Sequence, residues 1–358
     1  MKILVAGMVA GDPHQGGATW AVLQYVLGLE RLGHDVVLVE PVRELAPEVV
    51  EYFESLRLRR GALLRAGSSQ TVGMSYEDLR SFDPDLLLNI SGLLREPELV
   101  RAVRTRVFMD LDPVFVQIWH AQGADFGLDD HTHHVTVGTR LESTRIPLDR
   151  RWIPTFPPVV LEHWPYSDEL EHDAFTTVGH WRSYGSVEWG SVVYGQRAHA
   201  VRRLLELPAL TQESLLPALA IHPGERADLE ALSERGWQLA DPLLVAGTPD
   251  AYRRFVSGSK GELGLTKAGY LDSRCGWFSD RSACYLASGR PVVTGDTGFS
   301  EALPTGDGLV AFDDARGAAA AIGRIVEDYA YHRQAARALA EEHLDSDRVL
   351  GRLLEAVL

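Results

Sequence analysis

Short apolar runs alternate with amphipathic segments along the chain, beginning at its first residues. Residues 3–6 are apolar throughout, and a glycine-rich loop leads from them into residues 18–32, whose apolar positions recur at helical spacing until Gly33. A second apolar run occupies residues 36–39. A strand, a helix and a second strand in this order predict a βαβ unit, in which the two strands lie parallel in one sheet.

The same alternation continues through both halves of the chain. In the first half it predicts strands at residues 86–88, 106–109 and 135–137. In the second half it predicts strands at residues 175–178, 218–221, 237–240, 264–265, 291–294 and 309–312, with helices at 196–206 and 315–329 among the intervening segments. Each half is therefore predicted to be a doubly wound α/β unit with a mostly parallel sheet.

A segment rich in proline and aromatic residues separates the two halves and is typical of a linker. We therefore predict an N-terminal Rossmann-like lobe at 1–153, a linker at 154–172 and a C-terminal Rossmann-like lobe at 173–343. Residues 344–358 are predicted as a last helix, and its return to the N-terminal lobe is one arrangement that we consider. Two such lobes direct the carboxyl ends of both sheets into a central cleft, where open α/β sheets bind ligands.

The composition limits the classes of partner. Asp and Glu number 50 against 35 Lys and Arg, which gives a net charge of −15 and argues against a nucleic-acid-binding face. The two cysteines, Cys275 and Cys284, provide neither a disulfide framework nor a cysteine zinc site, so a reducing, cytoplasmic location is expected. No stretch approaches the ~20 uninterrupted apolar residues of a membrane span. The sequence leaves the oligomeric state open.

Residues 276–293, GWFSDRSACYLASGRPVV, combine a loop, a short helix and a buried strand. Ser279 is a favourable N-cap, and Asp280 occupies the first turn, where the helix dipole stabilises a carboxylate. Gly289 and Pro291 end the helix before the apolar strand. The free N–H groups of such a helix start bind phosphate in many proteins, so we expect a phosphate-bearing ligand here.

Residues 236–337 resemble the C-terminal lobe of glycosyltransferases of the GT-B fold, in particular the group called glycosyl transferases group 1. The blocks of that family occur here in the same order, as GWQLADP, TPDAYRRFV, GELGLTKAGY, GWFSDRSACYLASGRPVV and TGFSEALPTGDGLVAFDD, followed by a long helix. The resemblance implies a GT-B fold, a nucleotide-sugar donor in the C-terminal lobe and an acceptor, taken here as a small molecule, in the N-terminal lobe. It also implies a transferase that needs no metal and no further cofactor.

The sequence departs from the resembled family at one pair of positions. Retaining members carry two glutamates, and the matching positions here are Gly276 and Cys284, neither of which can hydrogen-bond a sugar as a carboxylate does. Asp280 lies four residues before Cys284 on the same helix face, so it is a candidate for the ribose contact instead. We therefore expect inversion of the anomeric configuration.

The donor site is predicted in the C-terminal lobe. The N–H groups at the helix start, the nearby cations and the glycine-rich loop after the lobe's first strand are candidates for stabilising the diphosphate charge. Residues after the later strands are candidates for contacts with the base and the sugar. The predicted donor-binding residues are Gly179, Arg182, His222, Lys267, Phe278, Ser279, Asp280, Arg281, Ser282, Asp296 and Thr297.

The catalytic base is predicted in the loop GDPHQGGATW, which follows the first strand. His14 is the first candidate, because an imidazole pKa of about 6.5 is well matched to deprotonation of a hydroxyl. Inverting enzymes of the resembled fold also often place a histidine in this loop. Asp12 and Asp110 are candidate partners that would orient His14, and Asp110 is also an alternative base.

The acceptor pocket is predicted from the same lobe. Gly16 and Gly17 allow a ligand to approach the backbone closely. Asp112 follows a strand and is a candidate acceptor contact or base, and His131 is a candidate pocket residue. Although His131 belongs to the run DDHTHH, that run lacks a recognised zinc spacing, so no metal site is predicted.

Three other functions compete with sugar transfer. A nucleotide-sugar epimerase uses the same two-lobed architecture, and the missing glutamate pair leaves room for a non-catalytic nucleotide-sugar-binding partner. A dinucleotide dehydrogenase is disfavoured, because residues 5–17 contain no G-x-G-x-x-G fingerprint.

Overall fold

The computed structural model describes all 358 residues, and its first large sheet is built from the N-terminal part of the chain. Eight strands lie in the order β4-β3-β2-β1-β5-β6-β7-β8. All neighbours are parallel except β3 and β4. The strands are β1 (Lys2–Ala6), β2 (Asp35–Val42), β3 (Gly61–Arg65), β4 (Thr71–Gly73), β5 (Leu86–Ile90), β6 (Thr105–Asp110), β7 (His133–Thr136) and β8 (Ile153–Pro154).

The second large sheet has five parallel strands in the order β12-β9-β13-β14-β15. Between β9 and β12 the chain forms a separate two-stranded antiparallel hairpin, β10-β11. The strands are β9 (His172–His180), β10 (Val187–Trp189), β11 (Val192–Tyr194), β12 (Leu215–Ala220), β13 (Ser259–Gly264), β14 (Val292–Gly295) and β15 (Leu309–Phe312). The predicted pair of doubly wound α/β units is confirmed.

Helices connect the parallel strands, as a parallel sheet requires. They are α1 (Gly16–Arg31), α2 (Pro47–Ser55), α3 (Tyr76–Ser81), α4 (Pro97–Val100), α5 (Phe115–Ala121), α6 (Arg197–Arg202), α7 (Leu207–Leu210), α8 (Arg226–Glu234), α9 (Pro242–Ala246), α10 (Pro249–Ser257), α11 (Ala268–Ser273), α12 (Asp280–Ala287), α13 (Ala315–Glu327), α14 (Tyr329–Leu339) and α15 (Ser346–Val357). Every residue of β5 is buried, because helices cover both faces of its sheet.

The last helix packs on the first lobe. A Cβ atom built on Gly28 of α1 would lie 2.5 Å from Leu350 and 2.9 Å from Ser346, both in α15. Leu350 and Leu353 share a hydrophobic core with β1 residues. The chain therefore crosses from the first lobe to the second and ends against the first.

One predicted strand is wrong. Residues 237–240 form no strand, and α9 begins two residues later. The Trp237 indole is buried and donates to the main-chain oxygen of Leu205, so this apolar segment serves core packing. The predicted helix 196–206 is also shorter, since α6 ends at Arg202. The short strands β3, β4 and β8 and the hairpin β10-β11 were not predicted.

Candidate active site

A cavity of ≈ 700 Å³ lies between the two lobes. Loops at the carboxyl ends of β1, β6, β9, β12 and β13 line it, together with the start of α12. This is the position at which open parallel sheets bind ligands, because helix starts and free loops meet there.

Half of the predicted site residues line this cavity. Those that do are Asp12, His14, Gly17, Asp112, Gly179, Lys267, Ser279, Asp280 and Arg281. Those that do not are Gly16, Asp110, His131, Arg182, His222, Phe278, Ser282, Asp296 and Thr297. The structure thus joins residues from both lobes at one cleft.

The start of α12 forms part of the cavity wall as a capped helix terminus. The Ser279 side chain accepts a hydrogen bond from the Arg281 N–H at 3.2 Å, so the predicted N-cap is confirmed. Asp280 follows it, and burial raises the pKa of its carboxyl even though Arg281 is close. The positive end of the helix dipole therefore faces the cleft beside a carboxylate that no cation pairs with.

Arg197, the first residue of α6, is the cation that sequence analysis missed. Its side chain is 7% exposed and lines the cavity. The guanidinium donates to the main-chain oxygens of His180 and Leu265, and no carboxylate pairs with it. Burial, with repulsion from Arg281, lowers the pKa of Arg197 to about 9. A buried cation without a counter-ion creates a favourable place for an anionic group.

Lys267 and Asp112 form an ion pair across the cleft, with 2.9 Å between Nζ and Oδ1. The same carboxylate accepts hydrogen bonds from the hydroxyls of Tyr184 and Tyr270. Burial alone would raise the pKa of Asp112, but Lys267 and the two phenols outweigh it and leave that pKa below its usual value. Asp112 therefore remains ionised and holds three groups of the C-terminal lobe.

Arg281 is already neutralised. Its Nε lies 2.6 Å from Oε1 of the fully buried Glu262, and its Nη1 donates to the Val178 carbonyl at 2.7 Å. Arg281 lines the cavity, but its charge is shared with this carboxylate. Arg197, which has no carboxylate partner, is therefore better placed than Arg281 to meet an incoming anion.

The opposite wall is a loop held from behind by Glu40. This buried carboxylate, at the end of β2, accepts hydrogen bonds from the N–H groups of Val9, Ala10 and Gly11 at 3.0, 2.8 and 2.7 Å. The loop then presents His14 as an exposed side chain in the left-handed region, with φ of 66°. That conformation is uncommon for a residue with a Cβ atom and occurs frequently at functional loops.

No protein-family model and no curated protein sequence matches the chain. Among solved structures, an alpha-glucosyltransferase in complex with UDP-glucose and DNA containing an abasic site is similar at a TM-score of 0.65 and 13% identity, over 99% of this chain and 98% of that one. The chain has the GT-B fold.

Two further GT-B structures are similar over nearly their whole length. HepE from Anabaena, in complex with UDP and glucose, has a TM-score of 0.60 and 14% identity, and 99% of each chain is covered. Sucrose-phosphate synthase from Thermosynechococcus elongatus has a TM-score of 0.59 and 14% identity, again with 99% of each chain covered. The predicted GT-B architecture of two Rossmann-like lobes facing a central cleft is therefore confirmed.

Within the GT-B cleft, His14 has neither of its predicted carboxylate partners. Asp12 accepts a hydrogen bond from Gln15, three residues along the chain. Asp110 is fully buried at the end of β6, where Gln117 and Thr136 each donate to it at 2.9 Å. Burial raises the pKa of Asp110 to about 7 although these hydrogen bonds lower it. Asp110 is therefore a residue of the N-terminal lobe's interior.

The two glycines of the first loop serve contact between the GT-B lobes. A Cβ atom on Gly16 would lie 2.2 Å from the main-chain oxygen of Thr248, and one on Gly17 would lie 2.9 Å from the Tyr252 ring. Both neighbours belong to the second lobe. The absence of a side chain at Gly16 therefore lets the start of α1 approach α10, and it does not open space for a ligand.

His131 lies inside the first GT-B lobe, away from the cleft. Its ring nitrogens lie 3.0 Å from the Asn89 amide and 2.7 Å from the Gly127 carbonyl, so both are satisfied. Burial lowers the pKa of His131 to about 4. His131 therefore has a structural place in the lobe interior and not in the predicted acceptor pocket, because a buried neutral imidazole with two partners has no ring nitrogen left to hydrogen-bond a ligand.

Most other predicted donor residues outside the cavity have local partners. Arg182 pairs with Glu225 at 2.5 Å, and His222 accepts from the Gly224 N–H within a turn. Asp296 pairs with Arg274 and caps the following turn, while Thr297 donates to the Trp277 carbonyl. Ser282 is buried within α12, and Phe278 lines a smaller side cavity, described below.

No three or more His, Cys, Asp or Glu side chains are grouped so as to hold a metal ion. None of the helices has both the length and the apolar character needed to cross a bilayer.

Proposed function

We propose that this protein is a glycosyltransferase that moves a sugar from a nucleoside-diphosphate sugar to a small-molecule acceptor. The observation that carries the proposal is Arg197, a buried cation with no counter-ion, in the wall of a cleft between two α/β lobes. Lys267 lies in the same wall, and the start of α12 adds the positive end of a helix dipole. A diphosphate supplies the negative charge that this combination favours.

The donor is assigned to the lobe at 173–343 and the acceptor to the lobe at 1–153. One of the similar structures is in complex with UDP-glucose and another with UDP and glucose, so UDP is the first nucleotide to test. The alpha-glucosyltransferase is in complex with DNA. A small-molecule acceptor is preferred for this chain because its net charge of −15 opposes the approach of a polyanion.

In the proposed mechanism, His14 removes the proton from an acceptor hydroxyl as that oxygen attacks the anomeric carbon. The bond to the diphosphate breaks, and the leaving group takes the bonding electron pair. Arg197, Lys267 and the N–H groups of α12 stabilise the charge that develops on it. Because base and leaving group lie on opposite walls of the cleft, attack occurs opposite the departing group and the anomeric configuration inverts. These protein groups supply the stabilising charge without a metal ion.

The test is a thermal-shift screen without added metal against UDP, TDP, GDP, ADP and CDP, with NAD as the control. A ligand that binds the folded state at about 100 times its Kd stabilises it by ~2.7 kcal/mol. We expect one nucleoside diphosphate to raise Tm and NAD to leave it unchanged. A response to NAD alone would overturn the proposal, and release of the free sugar from the matching donor then separates an enzyme from a binding protein.

A further inference from the structure

A small side cavity of ≈ 20 Å³ adjoins the main one. Ala21, Leu111, Trp277 and Asp280 line both cavities, so the two spaces are neighbours. The remaining lining residues of the side cavity are Tyr25, Val137, Pro157, Pro158 and Phe278. Its volume is sufficient for about one water molecule.

Tyr25 brings an unsatisfied hydroxyl to this cavity. The side chain is 2% exposed, and its hydroxyl has no hydrogen-bond partner in the protein. Leaving a buried hydroxyl unpaired costs ~1–3 kcal/mol. Most buried tyrosines avoid that cost, and Tyr285 does so here by pairing with Thr176 at 2.6 Å. A water molecule or a polar ligand group in the cavity would satisfy this hydroxyl.

Asp280 supplies the second polar group of the cavity. Tyr25 and Asp280 both line the small cavity. Burial raises the pKa of the Tyr25 phenol, and the charge of Asp280 raises it further. Asp280 pairs with no cation, because Arg281 turns to Glu262. Besides this hydroxyl and this carboxylate, the side chains that line the cavity are apolar or aromatic.

These features select the chemistry of the ligand. A hydroxyl group can donate to the carboxylate of Asp280 and accept from the hydroxyl of Tyr25 at the same time. A phosphate, a carboxylate and an acetamido group are each larger than one water molecule, which is about what the ≈ 20 Å³ cavity holds. The best fit is a single neutral hydroxyl.

We propose that Tyr25 and Asp280 form a subsite for one hydroxyl group of the substrate, at the side cavity between the start of α12 and the middle of α1. The inference rests on the proposed function, since that hydroxyl belongs to the transferred sugar or to the acceptor. Tyr25 is then a specificity-determining residue. Hydrophobic periodicity alone would assign it to the core.

The test compares Tyr25→Phe with the wild type in calorimetric titrations with UDP and UDP-glucose, or with the base-matched pair if another nucleoside diphosphate stabilises the protein. If the hydroxyl belongs to the sugar, Tyr25→Phe binds UDP-glucose about fivefold to tenfold more weakly and UDP equally well, because one hydrogen bond is lost. If the hydroxyl belongs to the acceptor, both affinities stay unchanged, while hydrolysis of UDP-glucose slows at least about fivefold as water takes the acceptor's place.

Stability supplies a second readout. Tyr25→Phe is expected to unfold at the same Tm or a higher one, because it removes an unpaired buried hydroxyl. Tyr285→Phe is the matched control, since it removes a paired hydroxyl in α12; it should lower Tm and leave affinities and hydrolysis unchanged. Unchanged affinities and hydrolysis in Tyr25→Phe would overturn the inference alone. Failure of the wild type to bind any nucleoside diphosphate would remove the proposed function and the inference with it.

Discussion

The two walls of the cleft are built in different ways. The C-terminal wall, which comprises Arg197, Lys267, Arg281 and the start of α12, consists of largely buried groups fixed to strand ends and helix starts. The N-terminal wall, residues 12–18, is a loop and the first turn of α1, and it presents an exposed His14. One wall holds charge in place, and the other exposes a titratable side chain.

This difference separates binding from chemistry. Preorganised charge in a partly dry site stabilises a leaving group without rearrangement. A base must instead reach a hydroxyl whose position varies with the acceptor, which an exposed loop permits. Substitutions on the N-terminal wall should therefore change rates, and substitutions on the C-terminal wall should change affinity.

The largest expected effect is on the N-terminal wall. His14→Ala should slow sugar transfer, to an acceptor or to water, by ~10²–10⁴-fold, because it removes the proposed base. The nucleoside-diphosphate affinity, measured by calorimetry, should stay within about twofold of the wild type. His34→Ala, three residues beyond the end of α1 and outside the cavity, is the control and should change neither. A normal transfer rate in His14→Ala would show that the base lies elsewhere.

The next effect is on the C-terminal wall. Arg197→Met removes the unpaired cation while keeping its apolar stem, and it should weaken nucleoside-diphosphate binding by about 100-fold, the scale of a charged hydrogen bond. Arg202→Met is a matched control on the same helix, since Arg202 is half-exposed, pairs with Asp228 and lies outside the cavity. Equal affinities for the two variants would contradict an anion site at Arg197.

A smaller effect is expected where the walls meet. Asp112 neutralises Lys267 in the unliganded protein, so a diphosphate has to compete with it. Asp112→Asn should therefore tighten nucleoside-diphosphate binding by about threefold to tenfold, as expected when a competing charge is removed. Weaker binding in this variant would mean that the Asp112 carboxylate supports the site by holding the lobes together.

The smallest effect concerns Asp110, which precedes Asp112 by two residues and is buried inside the N-terminal lobe. Its pKa is raised to about 7 by burial, so between its unfolded value and 7 the folded state binds a proton that the unfolded state lacks. This carboxyl therefore destabilises the protein fully above pH 7, and the penalty shrinks progressively as the pH falls from 7 towards the unfolded-state pKa of about 3.9. When the pH is lowered from 8 to 6, the free energy of unfolding should rise by about 1 kcal/mol more in the wild type than in Asp110→Asn.

Chemical denaturation at the two pH values measures that difference. Asp228→Asn is the control and should keep the wild-type pH dependence between pH 6 and pH 8, because Asp228 lies in the other lobe and its pKa is already below its usual value. Identical pH dependence in the wild type and Asp110→Asn would show that Asp110 stays ionised in the folded protein.

Local signals in the sequence were sufficient to predict where several strands end and where α12 begins. The apolar run, the Ser279 cap and Gly289 all act within a few residues, so they predicted a helix start at the cleft. Arg197 was missed because the hairpin β10-β11 separates it from β9, and its lack of a counter-ion is visible only in three dimensions. Tyr25 was missed because helical spacing cannot distinguish a core hydroxyl from one at a cavity.

The central claim is that Arg197, Lys267 and the start of α12 hold a diphosphate. The most direct measurement is a crystal structure with the nucleoside diphosphate that raises Tm most. The account predicts both phosphates in the ≈ 700 Å³ cleft, within hydrogen-bond distance of Arg197, Lys267 and the first N–H groups of α12. Phosphates bound instead in the ≈ 190 Å³ cavity beside Arg274, with the cleft free, would contradict it.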